Sequence, residues 1–120
     1  MFGIIVEKQF CATHQLRLPD GTLEPLHGHD WIVRAFCRAG RLDEFDMVLD
    51  FHVAEQALAS AVAAWHHQHL NTLPAFAGRN PTAELVAFEL FRLLKNKDLS
   101  ALYRLEVTEA PNCIAFYEEP

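Results

Sequence analysis

Two stretches near the N-terminus alternate between apolar and polar positions. The first stretch, residues 2–15, places Glu7 and Gln9 on one parity and mostly apolar residues on the other. The second begins at His27, keeps the same period and ends at Gly40. A period of two is typical of half-buried strands, so we expect two strands here. The turn-forming residues Leu18–Gly21 lie between them and favour a loop.

The central part of the chain changes to helical spacing. Asp50 is expected to cap a helix that begins at Phe51, because apolar residues then recur every three or four positions as far as Trp65. The histidines His66, His67 and His69 are expected to end this helix, which should fail near Asn71–Pro74.

A second helix is expected to begin within residues 80–84. Asn80 is the expected cap and Pro81 the expected first helical residue. The cationic run Lys95–Lys97 suits the C-terminal end of a helix.

Two further apolar segments, 102–110 and 113–118, are separated by a turn at Pro111-Asn112 and predict a second strand pair. The element order is therefore strand-strand-helix-helix-strand-strand. We expect a single α+β domain over residues 1–120, with two helices covering one side of a four-stranded antiparallel sheet. So small a sheet has open edges, which favours assembly with other copies of the chain.

Composition narrows the classes of function. The chain has 120 residues, 51% of them hydrophobic, and a net charge of -6. This content excludes a wholly disordered chain, and the acidic balance argues against a nucleic-acid partner. No apolar run approaches the roughly 20 residues of a membrane helix, and the N-terminus lacks a secretory h-region. We therefore expect a cytoplasmic protein without a membrane partner.

Seven histidines stand out in this chain. His27 and His29 share one strand face because residues two apart point the same way. His14 lies on the apolar face of the first strand, near the end that a hairpin brings beside them. Three imidazoles converging from two strands provide the protein ligands of a catalytic zinc site, which leaves its fourth position open.

Other polar residues allow two interpretations. Glu109 ends the apolar strand row of Tyr103, Leu105 and Val107, so its carboxylate either lies at an open rim or holds a ligand. The histidines at 66, 67 and 69 are either solvated or include one catalytic residue. The three cysteines contain no C-x-x-C pair. We interpret Cys11 as a small packing residue facing away from the metal, and Cys37 and Cys113 as buried apolar positions.

The sequence resembles the 6-pyruvoyl-tetrahydropterin synthase family, which includes 6-carboxy-tetrahydropterin synthase of queuosine biosynthesis. The resemblance covers nearly the whole chain and is carried by the order and spacing of six blocks. They are Ala-Thr-His at 12–14, Leu-His-Gly-His at 26–29, Met-Val-Leu-Asp-Phe at 47–51, His-Leu-Asn at 69–71, Asn-Pro-Thr-Ala-Glu at 80–84 and Val-Thr-Glu at 107–109.

The resemblance implies the tunnelling fold, or T-fold, assembled into trimers that stack into hexamers. It implies Zn²⁺ bound by His14, His27 and His29, and Glu109 as the anchor of a dihydropterin ring. The substrate it implies is 7,8-dihydroneopterin triphosphate or a close relative.

The chain departs from the family pattern at two positions. Leu23 occupies the place of the usual cysteine, and His66 replaces the aspartate of an Asp-His pair, so that only His67 matches. Glu24, however, begins an E-x-x-H-G-H motif that resembles a subgroup with glutamate in place of the cysteine. That subgroup cleaves the substrate side chain to 6-hydroxymethyl-7,8-dihydropterin for folate synthesis. Glu24 is then the candidate general base, with His67 as the second candidate catalytic residue.

Three other functions stay open at the level of sequence. The chain is either a catalytically reduced protein that binds zinc and a pterin, a metal enzyme acting on another heterocycle, or a structural oligomer without a site. Within the resemblance, the queuosine and tetrahydrobiopterin pathways share the substrate with folate synthesis.

Overall fold

One mixed sheet and two helices form the fold of the residues that the structure, a computed structural model, describes (1–97 and 99–120). In chain order the elements are β1 (Phe2–His14), β2 (His27–Ala39), α1 (Phe51–Ala63), β3 (Gln68–His69), α2 (Ala83–Lys95), β4 (Leu102–Ala110) and β5 (Cys113–Glu118). The sheet order is β3-β1-β2-β4-β5. The expected α+β class and the order of the main elements are confirmed.

The long antiparallel pair β1–β2 sets the position of the histidines. Its register runs without interruption from Phe2 opposite Ala39 to His14 opposite His27. Because one end of the ladder joins His14 to His27, the last residue of β1 and the first residues of β2 meet at the same corner of the sheet.

Both helices pack on one face of the sheet, where the core lies. α1 contributes Leu58 and α2 contributes Leu90, and both are fully buried in the core cluster that also contains Trp31 and Phe10 of the sheet. Burial of a large apolar side chain stabilises the fold by about 1.5–3 kcal/mol. The period of two in β1 and β2 thus reports which strand positions face the helices.

The end of α1 differs from the expectation. The helix ends at Ala63 and does not continue through His66, His67 and His69. His67 instead adopts a positive φ of 62°, and its backbone N–H donates to the carbonyl of Cys11 at 2.7 Å. The chain thereby joins the edge of β1, and Gln68–His69 forms a short parallel strand. The sheet accordingly has five strands in the described residues, where four were expected.

The start of α2 also differs. Thr82 is the N-cap, since its hydroxyl accepts from the N–H of Leu85 at 3.2 Å, and the helix begins at Ala83. The expected cap, Asn80, uses its side chain to bind the backbone of Arg17. Pro81 therefore precedes the cap and is not the first helical residue.

The cysteines have three different environments. Cys37 is buried, as expected, whereas Cys113 is exposed, so its assignment to the core was wrong. Cys113 opens β5 directly after the Pro111-Asn112 turn. Cys11 faces away from the core and donates its thiol hydrogen to Asp30.

None of the helices found among residues 1–97 and 99–120 is both long and apolar enough to cross a membrane.

Candidate functional site

Three histidines and one glutamate converge at the corner where β1 ends and β2 begins. One ligand atom from each of His14, His27, His29 and Glu109 can be chosen so that all four atoms lie within 4.8 Å of one another. The expected convergence of the three imidazoles is confirmed in the geometry. Glu109 joins them from the neighbouring strand β4, and His14 is the most deeply buried of the four.

Backbone carbonyls orient two of the imidazole rings. Nδ1 of His14 lies 2.9 Å from the carbonyl oxygen of Pro81, and Nδ1 of His27 lies 3.0 Å from that of Pro25. A carbonyl oxygen only accepts, so each Nδ1 must carry the hydrogen. In the neutral form of each ring the Nε2 lone pair then faces the cluster, which is the usual arrangement of a metal-binding histidine and its supporting partner.

The cluster fits a bound divalent cation. Nε2 of His14 and Nε2 of His29 are buried without a hydrogen-bond partner. Oε1 of Glu109 lies 2.9 Å from the first and 3.5 Å from the second. Lone pairs that face a carboxylate oxygen repel it unless a proton or a metal cation lies between them. Burial lowers the pKa of His29, which favours the neutral ring that a metal requires. Imidazole and carboxylate are ligands that Zn²⁺ accepts.

A bulge in β4 directs Glu109 to the cluster. The register of β4 against β5 shifts between Thr108 and Ala110, which pair with the consecutive residues Ile114 and Cys113. Glu109 is thus the extra residue on its strand, and such bulges re-aim a side chain. Strand alternation places Glu109 correctly on the face of Val107, but periodicity does not reveal the bulge.

Glu24 lies beside the cluster and is not a freely solvated loop residue. Its Oε1 lies 3.4 Å from Nε2 of His27 and accepts from the backbone N–H of Leu16 at 3.1 Å. Its own N–H donates to the carbonyl of Leu16 at 2.9 Å. Backbone and side chain together therefore hold a carboxylate next to one of the candidate ligands.

Known proteins are similar to this chain in sequence and in fold. A family described as 6-pyruvoyl tetrahydropterin synthase matches residues 3–120. A 6-carboxy-5,6,7,8-tetrahydropterin synthase of Synechocystis sp. is 32% identical over 124 residues, covering 100% of this chain and 95% of the relative. The chain belongs to the 6-pyruvoyl tetrahydropterin synthase family.

Two solved structures agree with this membership at the level of the fold. The 6-pyruvoyl tetrahydropterin synthase of Caenorhabditis elegans superposes with a TM-score of 0.84 at 23% identity, over 99% of this chain and 96% of that one. A Plasmodium vivax 6-pyruvoyltetrahydropterin synthase superposes with a TM-score of 0.73 at 15% identity, over 98% of this chain and 97% of that one. It was solved as a catalytic-residue mutant in which glutamate is replaced by cysteine. The expected T-fold is therefore confirmed.

In this member of the 6-pyruvoyl tetrahydropterin synthase family, a pocket of about 510 Å³ adjoins the histidine cluster at His29 and also contains His67. The rings of His66 and His67 stack with centroids 3.7 Å apart, and Nδ1 of His66 accepts from the N–H of Cys11. The left-handed backbone of His67 therefore presents the two neighbouring rings together, which a regular helix could not do.

A second pocket of about 380 Å³ adjoins the cluster at Glu109. Both Glu84, in the first turn of α2, and Glu109 line it, together with β5 residues 113–116. Sequence reasoning missed Glu84, because an acidic residue in the first helical turn is explained by the helix dipole alone. It also missed Asp30, which lines the His67 pocket. The only indication in the sequence was that Asp30 alternates with the core-facing positions of β2 and therefore points to the other face of the sheet.

Proposed function

We propose that this chain is a zinc-dependent lyase of pterin biosynthesis that acts on 7,8-dihydroneopterin triphosphate. The observation that carries the proposal is the convergence of His14, His27, His29 and Glu109, with Glu24 held beside them. Membership of the 6-pyruvoyl tetrahydropterin synthase family supports it.

The three histidines are the proposed ligands of Zn²⁺. When bound, the ion supplies Lewis-acid polarisation of the side-chain hydroxyls of the substrate. The bonds from His14 to Pro81 and from His27 to Pro25 keep both rings in the tautomer that exposes Nε2.

Glu109 is the proposed anchor of the pterin ring. A carboxylate accepts two parallel hydrogen bonds from adjacent N–H groups, as the guanidine-like edge of a pterin offers. The pocket between Glu109 and Glu84 has room for a flat heterocycle, and β5 supplies an apolar wall at Ile114 and Phe116. Ring binding there leaves the substrate side chain next to the histidines.

Glu24 is the proposed general base. A carboxylate next to a cation-binding cluster can accept a proton from a polarised hydroxyl. The Plasmodium vivax neighbour, whose catalytic residue is a glutamate, supports this assignment. Removal of the proton from the C2′ hydroxyl lets the C1′–C2′ bond break, and its electron pair enters the conjugated C6–N5 system. A proton returned to C1′ gives 6-hydroxymethyl-7,8-dihydropterin, and the other two carbons leave as a triphosphorylated aldehyde.

A second candidate function is that of a 6-carboxy-tetrahydropterin synthase. The name of the Synechocystis relative, 32% identical over the whole chain, favours it. In this chain the second candidate would use the same proposed metal and ring sites, so the two candidates differ in the product and not in the proposed binding residues.

His67 is the proposed second catalytic residue, acting from the pocket that His29 also lines. A histidine ring has two nitrogens that can donate or accept a proton, and His67 is exposed to the pocket. We also propose that the chain forms trimers or hexamers, since β5 ends the sheet with an exposed row that includes Ile114 and Phe116. Light scattering of the purified protein measures the assembly directly.

Product analysis tests the proposed activity. Zinc-loaded wild type is incubated with 7,8-dihydroneopterin triphosphate beside Glu24→Gln and the control His52→Gln, whose histidine lies on α1. We expect one pterin product from wild type and control, and a kcat about 10²–10⁴-fold lower in Glu24→Gln. The hydroxymethyl product supports side-chain cleavage, and a carboxylated product supports the second candidate. Absence of turnover by a zinc-loaded wild type contradicts both.

A further inference from the structure

Residues 15–17, which follow β1, form backbone hydrogen bonds along one edge with the side chains of two asparagines. The side-chain amide of Asn71 accepts from the N–H of Gln15 at 2.9 Å and donates to its carbonyl at 2.8 Å. Asn80 does the same to Arg17, at 2.7 Å and 3.1 Å. A primary amide carries the same donor and acceptor as a peptide group, so each asparagine mimics a residue of a neighbouring strand.

These two contacts continue the β1–β3 ladder beyond its end. β3 pairs with β1 at Thr13 opposite His69, and the chain then turns into a short 3₁₀-helix at Leu70–Thr72. The backbone of β3 therefore leaves the edge of β1 after position 13. The amides of Asn71 and Asn80 take its place at positions 15 and 17, which have the two-residue spacing of a strand edge.

The opposite edge of the same segment holds Glu24. The N–H of Leu16, between the two clamped residues, donates to Oε1 of Glu24, and the carbonyl of Leu16 accepts from the N–H of Glu24. The side-chain amide of Gln15 donates to the carbonyl of Glu24 at 3.2 Å. The carboxylate of Glu24 thus rests on a segment whose other edge, among residues 1–97 and 99–120, is bonded by the two asparagines and not by a strand.

We propose that Asn71 and Asn80 are positioning residues for Glu24. They pin Gln15 and Arg17 so that Leu16 holds the carboxylate 3.4 Å from Nε2 of His27. The catalytic part of this inference rests on the proposed function, in which Glu24 is the base. The structural part concerns only whether the asparagines hold the Leu16–Glu24 contact.

Asn71→Asp and Asn80→Asp test the proposal with almost no change in shape. Each substitution keeps the acceptor for the backbone N–H but places an oxygen against the backbone carbonyl, so one bond becomes a repulsion. Misplacement of a catalytic group by about 1 Å lowers the rate by about 10²-fold. We expect kcat to fall by that order, with KM and zinc content near wild type. Asn96→Asp, at the far end of α2, is the matched control and should retain wild-type kcat.

A cycle with Glu24→Gln separates positioning from general damage to the fold. If the asparagines act through Glu24, neither Asp substitution should lower kcat further in the Glu24→Gln background. An equal loss in both backgrounds would show that they act through the fold or through His14, and would overturn the catalytic part of the proposal.

Amide hydrogen exchange tests the structural part without reference to activity. We expect the amide protons of Leu16 and Glu24 to exchange about tenfold faster in each Asp variant, while Val33 and Leu105 in the core keep their protection. Unchanged exchange at Leu16 and Glu24 in both variants overturns the proposal. If Asn71→Asp does not fold, the exchange of Leu16 and Glu24 in Asn80→Asp, at the outer end of the segment, tests the proposal alone. If wild type and Glu24→Gln turn over equally, Glu24 is not the base and the catalytic part of the proposal fails, and the exchange result still tests whether the asparagines hold the Leu16–Glu24 contact.

Discussion

The carboxylate of Glu109 lies 2.9 Å from Nε2 of His14, a ring that is completely buried. Because Nδ1 of His14 faces the carbonyl oxygen of Pro81, the neutral form of the ring offers only a lone pair to that carboxylate. The same corner of the sheet holds the buried Nε2 of His29 without a partner. An arrangement of acceptors around one point is stabilised by a cation and is strained electrostatically without one.

Zinc is therefore expected to stabilise the folded protein. A ligand present at 100 times its Kd stabilises by about 2.7 kcal/mol, which thermal unfolding with and without a chelator detects. His14→Ala should abolish the zinc-dependent rise in Tm and reduce zinc affinity by at least the ~10–100-fold that loss of a supporting partner costs. His52→Ala, which removes a histidine from α1, is the control. An equal zinc response in His14→Ala and His52→Ala would contradict the assigned ligands.

Glu109→Gln is expected to separate ring binding from metal binding. The amide keeps the shape but loses the charge, and a hydrogen bond to a charged group contributes about 1.5–3 kcal/mol. We expect pterin affinity to fall by about 10- to 100-fold while zinc stays bound through the three histidines. Fluorescence titration with a pterin and metal analysis of the same sample measure the two effects. Loss of zinc with unchanged pterin affinity would instead make Glu109 a metal ligand.

Sequence patterns predicted the strands more accurately than the site. Alternation in β1 and β2 placed His14, His27 and His29 on one face, and an antiparallel pair leaves little freedom in where they meet. Alternation also placed Glu109 on the face of Val107, but the bulge at Glu109 changes the register by one residue and has no signature in the alternation. The supporting contacts of Asn71 and Asn80 were also hidden, because they join residues 56 and 63 positions apart.

Local helix signals were ambiguous where tertiary contacts compete with them. The run from Trp65 to His69 continues a helical pattern, yet the backbone N–H of His67 donates a hydrogen bond to the edge of β1 at Cys11. Asn80 and Thr82 are both good N-cap residues, and the binding of Arg17 by Asn80 decides between them. In both places a contact distant in sequence overrides a local preference.

The cap of α2 provides a stability test. Thr82→Ala removes the hydroxyl that accepts from Leu85 and should lower the free energy of unfolding by about 1 kcal/mol. Thr82→Ser, which keeps the hydroxyl, should retain most of the stability. Urea denaturation of the three proteins measures the difference. Equal midpoints for Thr82→Ala and wild type would argue against Thr82 as the cap.

The thiol of Cys11 is expected to be less reactive than its exposure suggests. Its hydrogen bond to Asp30 raises the pKa of the thiol above the ordinary value of 9.0, with partial desolvation adding to the effect. Asp30→Asn removes the charge that disfavours the thiolate, so alkylation of Cys11 by iodoacetamide at pH 8 should become several times faster. Cys113, on β5, serves as the internal control in a peptide-resolved assay. Equal acceleration at both cysteines would indicate general loosening of the structure.

Ionisation of the Cys37 thiol is expected to make the free energy of unfolding depend on pH in the alkaline range. Burial raises the pKa of its thiol from 9.0 to about 11, whereas the unfolded chain ionises at the ordinary value. Below pH 9 both states hold the proton, and between pH 9 and 11 the unfolded state loses it first. The free energy of unfolding should therefore fall over this window, by about 2–3 kcal/mol at its upper end. Cys37→Ala removes this component, so the difference in slope between the two proteins isolates it from the titration of lysines and tyrosines. Parallel pH profiles for wild type and Cys37→Ala would mean that the thiol ionises at the same pH in the folded and unfolded chains.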